Sequence, residues 1–408
     1  MSNEELIPHL FRTEYRKIVS VLCRRFGFAQ IEIAEDIASD TFLTASQTWG
    51  VKGVPENPAA WLYTVASNKA KNHLQRDRVF ENRVTPELQY ADSGPQGLEI
   101  DLSPHNISDS QLRMMFAICH PSISTEAQVG LSLRILCGFG IDEIADAFLT
   151  SKETINKRLF RAKEKLREAR IELELPDPSA MEERLAAVLT TIYLLFNEGY
   201  YSVSQNTTLR TDLCLEAIRL CIMLVENEST DTPQVNALLA LMCFHASRFE
   251  ARMKNNGELV LYGDQDPALW NAELIARGVY YLHRAARGGS ASKYQLEAGI
   301  AYWHTQKADT PEKWGNILKF YDLLLQIDYS PIAALNRAFA LSKVNGKKAA
   351  IPEAEKLSLT DNHLYYTLLG ELHAGIDNRK AQEHFQRAVE LARSEPERRA
   401  ILGRIDKL

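Results

Sequence analysis

Apolar residues recur at three- and four-residue steps along almost the whole chain, β-branched alternation is nearly absent, and glycine and proline are sparse. That period lines successive apolar side chains along one face of a helix, so the pattern predicts an all-α protein. Ile33, Ala34, Ile37, Ala38, Phe42 and Ala45 make one such face, and Ile155, Leu159, Ala162 and Leu166 make another. Two stretches break the rhythm. From Val84 to Asn106 turn formers dominate, with Asp92-Ser93-Gly94-Pro95-Gln96-Gly97 at their centre, which reads as a flexible linker. At Pro176-Asp177-Pro178 a helix over 151–175 must stop, because proline lacks the amide proton and crowds the preceding turn. The expected order is two small helical domains, 1–83 and 107–175, joined by the linker 84–106 and followed by a helical-repeat domain over 178–408.

With 408 residues, 45% apolar and 25% charged, the composition is that of an ordinary globular protein. The longest nearly uninterrupted apolar stretch, Leu185 to Phe196, has 12 residues. A membrane span needs about 20, so this is expected to be a buried core helix, with no membrane as partner. Met1 to Glu5 is acidic and leads into no apolar run, so no secretory leader is expected. Cys23, Cys119, Cys137, Cys214, Cys221 and Cys243 form no C-x-x-C pair and sit among apolar neighbours. They fit small core residues of a reduced, cytoplasmic chain.

The formal charge of −6 argues against a nucleic-acid partner until its distribution is read. Residues 151–170 hold eight Lys/Arg against three Glu, and residues 69–83 hold five against two. Between them, residues 84–150 hold two Arg against nine Asp/Glu. Two basic patches separated by an acidic stretch are not what an evenly solvated surface produces.

In the first patch, Glu32, Asp36 and Asp40 fall every four residues on one helix face with no lysine four positions on. A solvated face gives this stripe too, but aligned carboxylates repel one another, and a basic partner surface would explain their retention. Asn57-Pro58 then starts a helix running to about Phe80, with Leu62, Ala66, Ala70 and Leu74 inside. Its outer side carries Asn68, Lys69, Lys71, Asn72, His73, Arg76 and Arg78. Lys and Arg can neutralise phosphates, while Asn, His and Arg can pair with base edges. Trp49, Trp61 and Tyr63 offer flat faces for unstacked bases. An amphipathic helix with a basic solvent side remains the plain alternative.

In the second patch, Ile141, Ile144, Ala145 and Phe148 predict a short helix, and Thr150 with Glu153 fits a capping box that starts a second one. Around the inner face of that helix lie Lys152, Asn156, Lys157, Arg158, Arg161 and Lys165, pointing outward. A short helix, a tight turn and a basic helix make a helix-turn-helix, whose second helix enters the major groove.

The two patches together are similar to a known family. Ala34-Glu35-Asp36-Ile37 and Asp40-Thr41-Phe42-Leu43-Thr44-Ala45, followed by Asn57-Pro58-Ala59-Ala60-Trp61-Leu62-Tyr63-Thr64-Val65-Ala66-Ser67-Asn68, closely resemble domain 2 of the extracytoplasmic-function sigma factors of bacterial RNA polymerase. Asp142-Glu143-Ile144-Ala145 with Thr154-Ile155-Asn156-Lys157-Arg158-Leu159-Phe160-Arg161-Ala162 resembles their domain 4, so the likeness covers residues 8–172. It implies that Glu35, Asp36, Asp40 and Phe42 dock on the beta-prime clamp helices of core RNA polymerase. It implies that Trp61, Asn68, Lys71, Asn72, His73, Arg76 and Arg78 serve the minus-ten promoter element. Lys152, Thr154, Asn156, Lys157, Arg158, Arg161 and Lys165 would serve the minus-thirty-five element. Leu149 and Glu153 stand where the family often has glycines, which leaves the promoter sequence unspecified.

In the third block, Leu369-Gly370, Ala381, Phe385, Ala388 and Pro396 resemble the tetratricopeptide pattern, although a generic stack of helical hairpins would look similar. One subgroup of these sigma factors resembles this arrangement in carrying a tetratricopeptide-like C-terminal extension in place of a separate anti-sigma partner. The stretches concerned are Tyr193 to Tyr200, Gly257 to Asp266 and Ser330 to Ala338. Asn197, Glu198, Gly199 and Tyr200 are either a polar helix end or a regulatory contact with the sigma domains. An unknown protein or ligand on the repeat domain is a further expected partner. No P-loop, H-E-x-x-H, G-x-S-x-G or dinucleotide fingerprint occurs, and Asp264-Gln265-Asp266 is too short an acidic turn for a metal site. No enzyme activity, cofactor or metal is expected. The competing reading is a one-component helix-turn-helix regulator with a sensing repeat domain, which leaves residues 31–83 without a task.

Overall fold

The computed structural model describes residues 3–84, 100–148, 150–200, 210–252, 260, 262–287, 291–392 and 395–408. Most of the expected linker, Leu149 and Gly257 to Leu259 lie outside them, as does the side chain of Arg78. Every regular element among the described residues is helical, and none is a strand.

Glycine and asparagine set the boundaries of the first three helices. Helix α1 spans Asn3–Phe26 and α2 Ile31–Lys52. Gly53 then takes a φ of +84°, which returns its amide to the Trp49 carbonyl at 3.1 Å and ends α2. Helix α3 spans Pro58–Val84, and the Asn57 Oδ1 accepts the Ala60 amide at 3.1 Å, as an N-cap should. The apolar faces read from the sequence meet here. Ile18, Val19 and Leu22 of α1, Ala34, Ala38 and Ala45 of α2, and Leu62, Ala66 and Ala70 of α3 are all buried.

Helix α4 spans Pro104–Ile118 and α5 Thr125–Leu131, from which a π-helical turn, Ser132–Leu136, leads on. Helices α6, Ile141–Ala147, and α7, Lys152–Glu168, follow. This second group packs on α1. Arg24 pairs with Asp109 at 2.6 Å and donates to Asn106 at 2.7 Å, and Arg12 pairs with Glu143 and lies 5.0 Å over the Phe139 ring. Gly138 is required at the crossing. Its φ is +74°, and a Cβ there would fall 2.8 Å from the Arg12 carbonyl oxygen.

Helix α7 stops earlier than the prolines would require. Arg170 adopts a φ of +51°, and the Ile171 amide bonds back to the Leu166 carbonyl at 3.2 Å, a Schellman-type ending at Glu168. The sequence reading to residue 175 missed this, because a left-handed arginine carries no compositional signal. Its N-cap is Ser151, which accepts the Thr154 amide at 3.2 Å, one residue after the expected Thr150.

Helix α8 spans Pro178–Tyr200, and the chain divides into two compact units within it, residues 1–194 and 195–408. In the first unit Arg184 donates to the Phe116 carbonyl at 2.6 Å and the Thr191 hydroxyl donates to Gln128 Oε1 at 3.0 Å. The compact N-terminal unit therefore continues beyond Pro176 into α8.

The second unit contains α9 (Thr211–Val225), α10 (Pro233–Ala246), α11 (Ala272–Ala285), α12 (Lys293–His304) and α13 (Pro311–Ile327). It continues through α14 (Pro331–Asn345), α15 (Lys347–Glu355), α16 (His363–His373), α17 (Asn378–Leu391) and α18 (Glu395–Ile405). Helix α12 packs on α10 as well as on α13, and from α13 onward each helix packs mainly against its neighbours in sequence. Three hairpins use one device, a glycine on one helix beneath a phenylalanine ring of another: Gly278 under Phe244, Gly299 under Phe320 and Gly370 under Phe385. All six cysteines are buried and outside any disulfide, and burial pushes Cys119 to about 11 and Cys214 to about 12. Such thiols are poor nucleophiles.

Candidate nucleic-acid interface

Helix α3 turns one side to the core and the other outward. Opposite the buried Leu62, Ala66 and Ala70 stand Asn68, Asn72 and Arg76, all exposed, with Lys71 partly exposed. Lys69 Nζ lies 3.8 Å from Asp40, so this basic row borders the acidic stripe of α2. His73 departs from the outward row and packs edge-on against Phe26 at 5.8 Å.

The aromatic platform is smaller than the sequence suggests. Trp49 lies inside α2, buried, with Trp61 edge-on to it at 5.4 Å, and Trp61 stays partly exposed. The Tyr63 hydroxyl donates to Glu14, and burial together with that carboxylate pushes the phenol pKa up.

The acidic face separates into two parts. Asp36 and Asp40 are exposed. Phe42, at 5% exposure, belongs to the core, with the Phe11 ring 5.0 Å away and the Tyr15 ring 6.5 Å away. Its place on a docking surface is therefore withdrawn. Glu35 is occupied as well. Its carboxylate meets Lys163 Nζ at 2.5 Å, and Glu32 meets Arg167 at 2.6 Å. These partners stand 128 and 135 residues further along, where a search for local i+4 partners cannot find them.

Helix α7 thus has three faces. Ile155, Leu159, Ala162 and Leu166 are buried, and Lys163 and Arg167 reach α2. Lys152, Thr154, Asn156, Lys157, Arg161 and Lys165 remain exposed, with Lys157, Arg161 and Lys165 aligned at four-residue steps. Lys152 also pairs with Asp142 of α6 at 2.6 Å. Arg158 is half-buried, its guanidinium 5.5 Å over the Phe148 ring. Phe160 is 64% exposed on a basic helix, where an apolar side chain suits the methyl group of thymine. The sequence reading passed over Phe160, although its position off the Leu159 and Ala162 phase was the available signal.

The residues after Leu194 belong to their own unit. A Cβ on Gly199 would come 2.7 Å from the Arg210 carbonyl oxygen, so this glycine allows two chain segments to touch. Tyr200 is buried beside Phe196 at 5.7 Å and beneath the Arg252 guanidinium at 3.8 Å. Gly199 and Tyr200 are packing groups, which removes them from any exposed contact. Asn197 and Glu198 stay partly exposed, and desolvation raises the Glu198 pKa.

Residues 10–79, the three-helix group that carries the acidic and basic rows, match the family model described as sigma-70 region 2. The chain is 34% identical over 388 residues to an uncharacterized protein of Rhizobium meliloti, covering 93% of this chain and 91% of that one. The two belong to one family. A second model, a family of unknown function (DUF6596), matches residues 184–286 of this chain. The chain is also 28% identical to the RNA polymerase sigma-H factor of Pseudomonas aeruginosa over 160 residues, 38% of this chain and 80% of that one. With the RNA polymerase sigma factor YlaC of Bacillus subtilis it shares 25% identity over 173 residues, 41% of this chain and 93% of the relative. No solved structure matches. The region 2 match and these likenesses support an RNA polymerase sigma factor. No helix among the described residues is long and apolar enough to cross a membrane.

Proposed function

We propose that the chain is a cytoplasmic, non-enzymatic sigma factor of the extracytoplasmic-function type. It binds core RNA polymerase through region 2 and directs initiation at promoters read by α3 and α7. The observation that carries this reading is one chain with two separate outward basic rows, on α3 and α7, the first bordered by exposed Asp36 and Asp40. A protein that only grips duplex DNA needs a single such helix, whereas two promoter elements need two. The unit beyond Leu194 is a tetratricopeptide-like stack that regulates the same chain. Run-off transcription with purified core polymerase tests the proposal. Promoter-specific transcripts that require the chain are expected. Duplex binding without promoter-specific initiation would instead make it a one-component regulator working beside another sigma factor.

A further inference from the structure

The C-terminal unit buries two cations that no carboxylate among the described residues neutralises. Arg248 is 7% exposed and Lys313 only 2%. The Arg248 guanidinium makes one long hydrogen bond, Nη2 to the Tyr200 hydroxyl at 3.4 Å, and its buried Nε has no partner. Lys313 Nζ donates to the Tyr262 hydroxyl and to the Gln306 carbonyl, each at 2.9 Å. Both cations lie over the same ring, each 5.4 Å from the Tyr262 centroid. Elsewhere in the unit, cations with far more access to water are paired with carboxylates: Arg284 with Asp231, Arg337 with Asp322 and Arg404 with Glu371. Among the described residues, the least hydrated cations of this unit are therefore the ones with no carboxylate partner, the reverse of what desolvation energetics favour.

The surroundings of Tyr262 are rich in donors. The His304 ring stands edge-on at 4.8 Å with a buried, unpartnered Nδ1, and Trp270 stacks at 6.4 Å with a buried, unpartnered indole N–H. Burial, Arg248 and Lys313 together hold the His304 imidazole down to about 3, so it is neutral and has one N–H to offer. Gln265, 8% exposed, contributes an unpartnered acceptor, Oε1. A guanidinium fork, an ammonium and neutral N–H donors match the oxygens of an anion such as a phosphate or carboxylate group.

We propose that Arg248, Lys313, Tyr262, His304 and Trp270 form a binding site for a small oxyanion inside the C-terminal unit. The ligand supplies the counter-charge that no carboxylate among the described residues gives, and engages Arg248, His304 and Trp270, each of which has a buried nitrogen without a partner among the described residues. Because the site lies wholly in that unit, its test does not depend on the sigma-factor reading. The full-length chain is titrated with sodium phosphate, with sodium acetate and with sodium chloride at matched ionic strength, following heat and thermal midpoint. Saturable binding and a rise in midpoint are expected for at least one oxyanion and not for chloride. The phosphate and acetate arms show whether the site takes a phosphate or a carboxylate. Lys313→Met and Arg248→Met are each expected to weaken binding by at least roughly thirtyfold, the effect of removing one partner of a buried charge pair. In oxyanion-free buffer Lys313→Met should match or exceed the wild-type midpoint, because an unneutralised buried cation has been removed. Identical responses to all three salts would overturn the proposal, as would an undiminished oxyanion response in both variants. Should Lys313→Met fail to fold, Tyr262→Phe must still weaken binding, because it removes the hydroxyl that accepts from Lys313 and donates to the His304 carbonyl at 3.0 Å and so holds the ammonium in place.

Discussion

At Gly370 a single methyl group decides whether two helices can approach. A Cβ there would lie 2.6 Å from the Phe385 ring, and Phe385 is held between the buried Ala381 and Ala388. The ring cannot retreat without disturbing that cluster, so Gly370→Ala is expected to cost about 1–3 kcal/mol. Urea unfolding should show this as a lower midpoint with an unchanged slope. Asp36 is the opposite kind of residue, exposed and with no ion pair among the described residues. Reversing it should leave stability within about 0.5 kcal/mol while adding repulsion against a basic partner. Asp36→Arg is expected to fold normally and to lose co-purification with core polymerase; retained binding would remove Asp36 from the docking surface. Legibility differs between these two residues and Phe42 or Tyr200 for a physical reason. Spacing reports which residues of one hairpin meet, so Gly370, Ala381, Phe385 and Ala388 could be read from it. It does not report which aromatic residue will be covered by a distant helix, and both Phe42 and Tyr200 are covered.

Among the helices, α7 shows how one element serves two surfaces. Lys163 and Glu35 have side chains 14% and 15% exposed, so their pair is partly dehydrated, and it fastens α7 to α2. Lys163→Glu and Glu35→Lys should each destabilise the N-terminal unit. The double exchange should recover most of the loss, with a coupling of about 1–3 kcal/mol in thermal or chemical unfolding. Additive effects would mean that the pair does not hold the helices together. On the outer face, Arg161 is exposed while Arg158 rests on Phe148. Arg161→Ala is therefore expected to lose about 1–3 kcal/mol of discrimination between promoter and scrambled duplex, and Arg158→Ala less. Equal loss on both duplexes would assign Arg161 to the phosphate backbone. The amphipathic phase of α7 was visible in the sequence, since period alone specifies it. Its two ends were displaced, because Ser151 and Thr150 are equally good caps by composition and Arg170 ends the helix through backbone conformation.

For the molecule as a whole, the order of helical blocks was readable from the breaks in periodicity, but the position of the division between units was not. Prolines at 176 and 178 suggested a boundary there, yet Arg184 and Thr191 are bonded to Phe116 and Gln128, and the compact units divide after Leu194. Where the chain is cut therefore determines what an experiment on the C-terminal unit reports. Ending the chain at Pro176 removes the donor that Arg184 gives the Phe116 carbonyl, a part-buried contact, and the hydroxyl that Thr191 gives Gln128, a buried one, and both are costly to leave unmade. A chain ending at Leu194 retains them. The shorter chain is expected to unfold at a lower temperature, and any loss of transcription from it would report damage to the N-terminal unit. The chain ending at Leu194 is the informative one. A regulatory domain fixed to the same polypeptide acts at a high effective concentration and needs no separate partner. Removal of residues 195–408 is therefore expected to reduce run-off transcription while leaving the thermal midpoint of the N-terminal unit unchanged. Equal activity would make the C-terminal unit a passenger, and higher activity would make it an inhibitor.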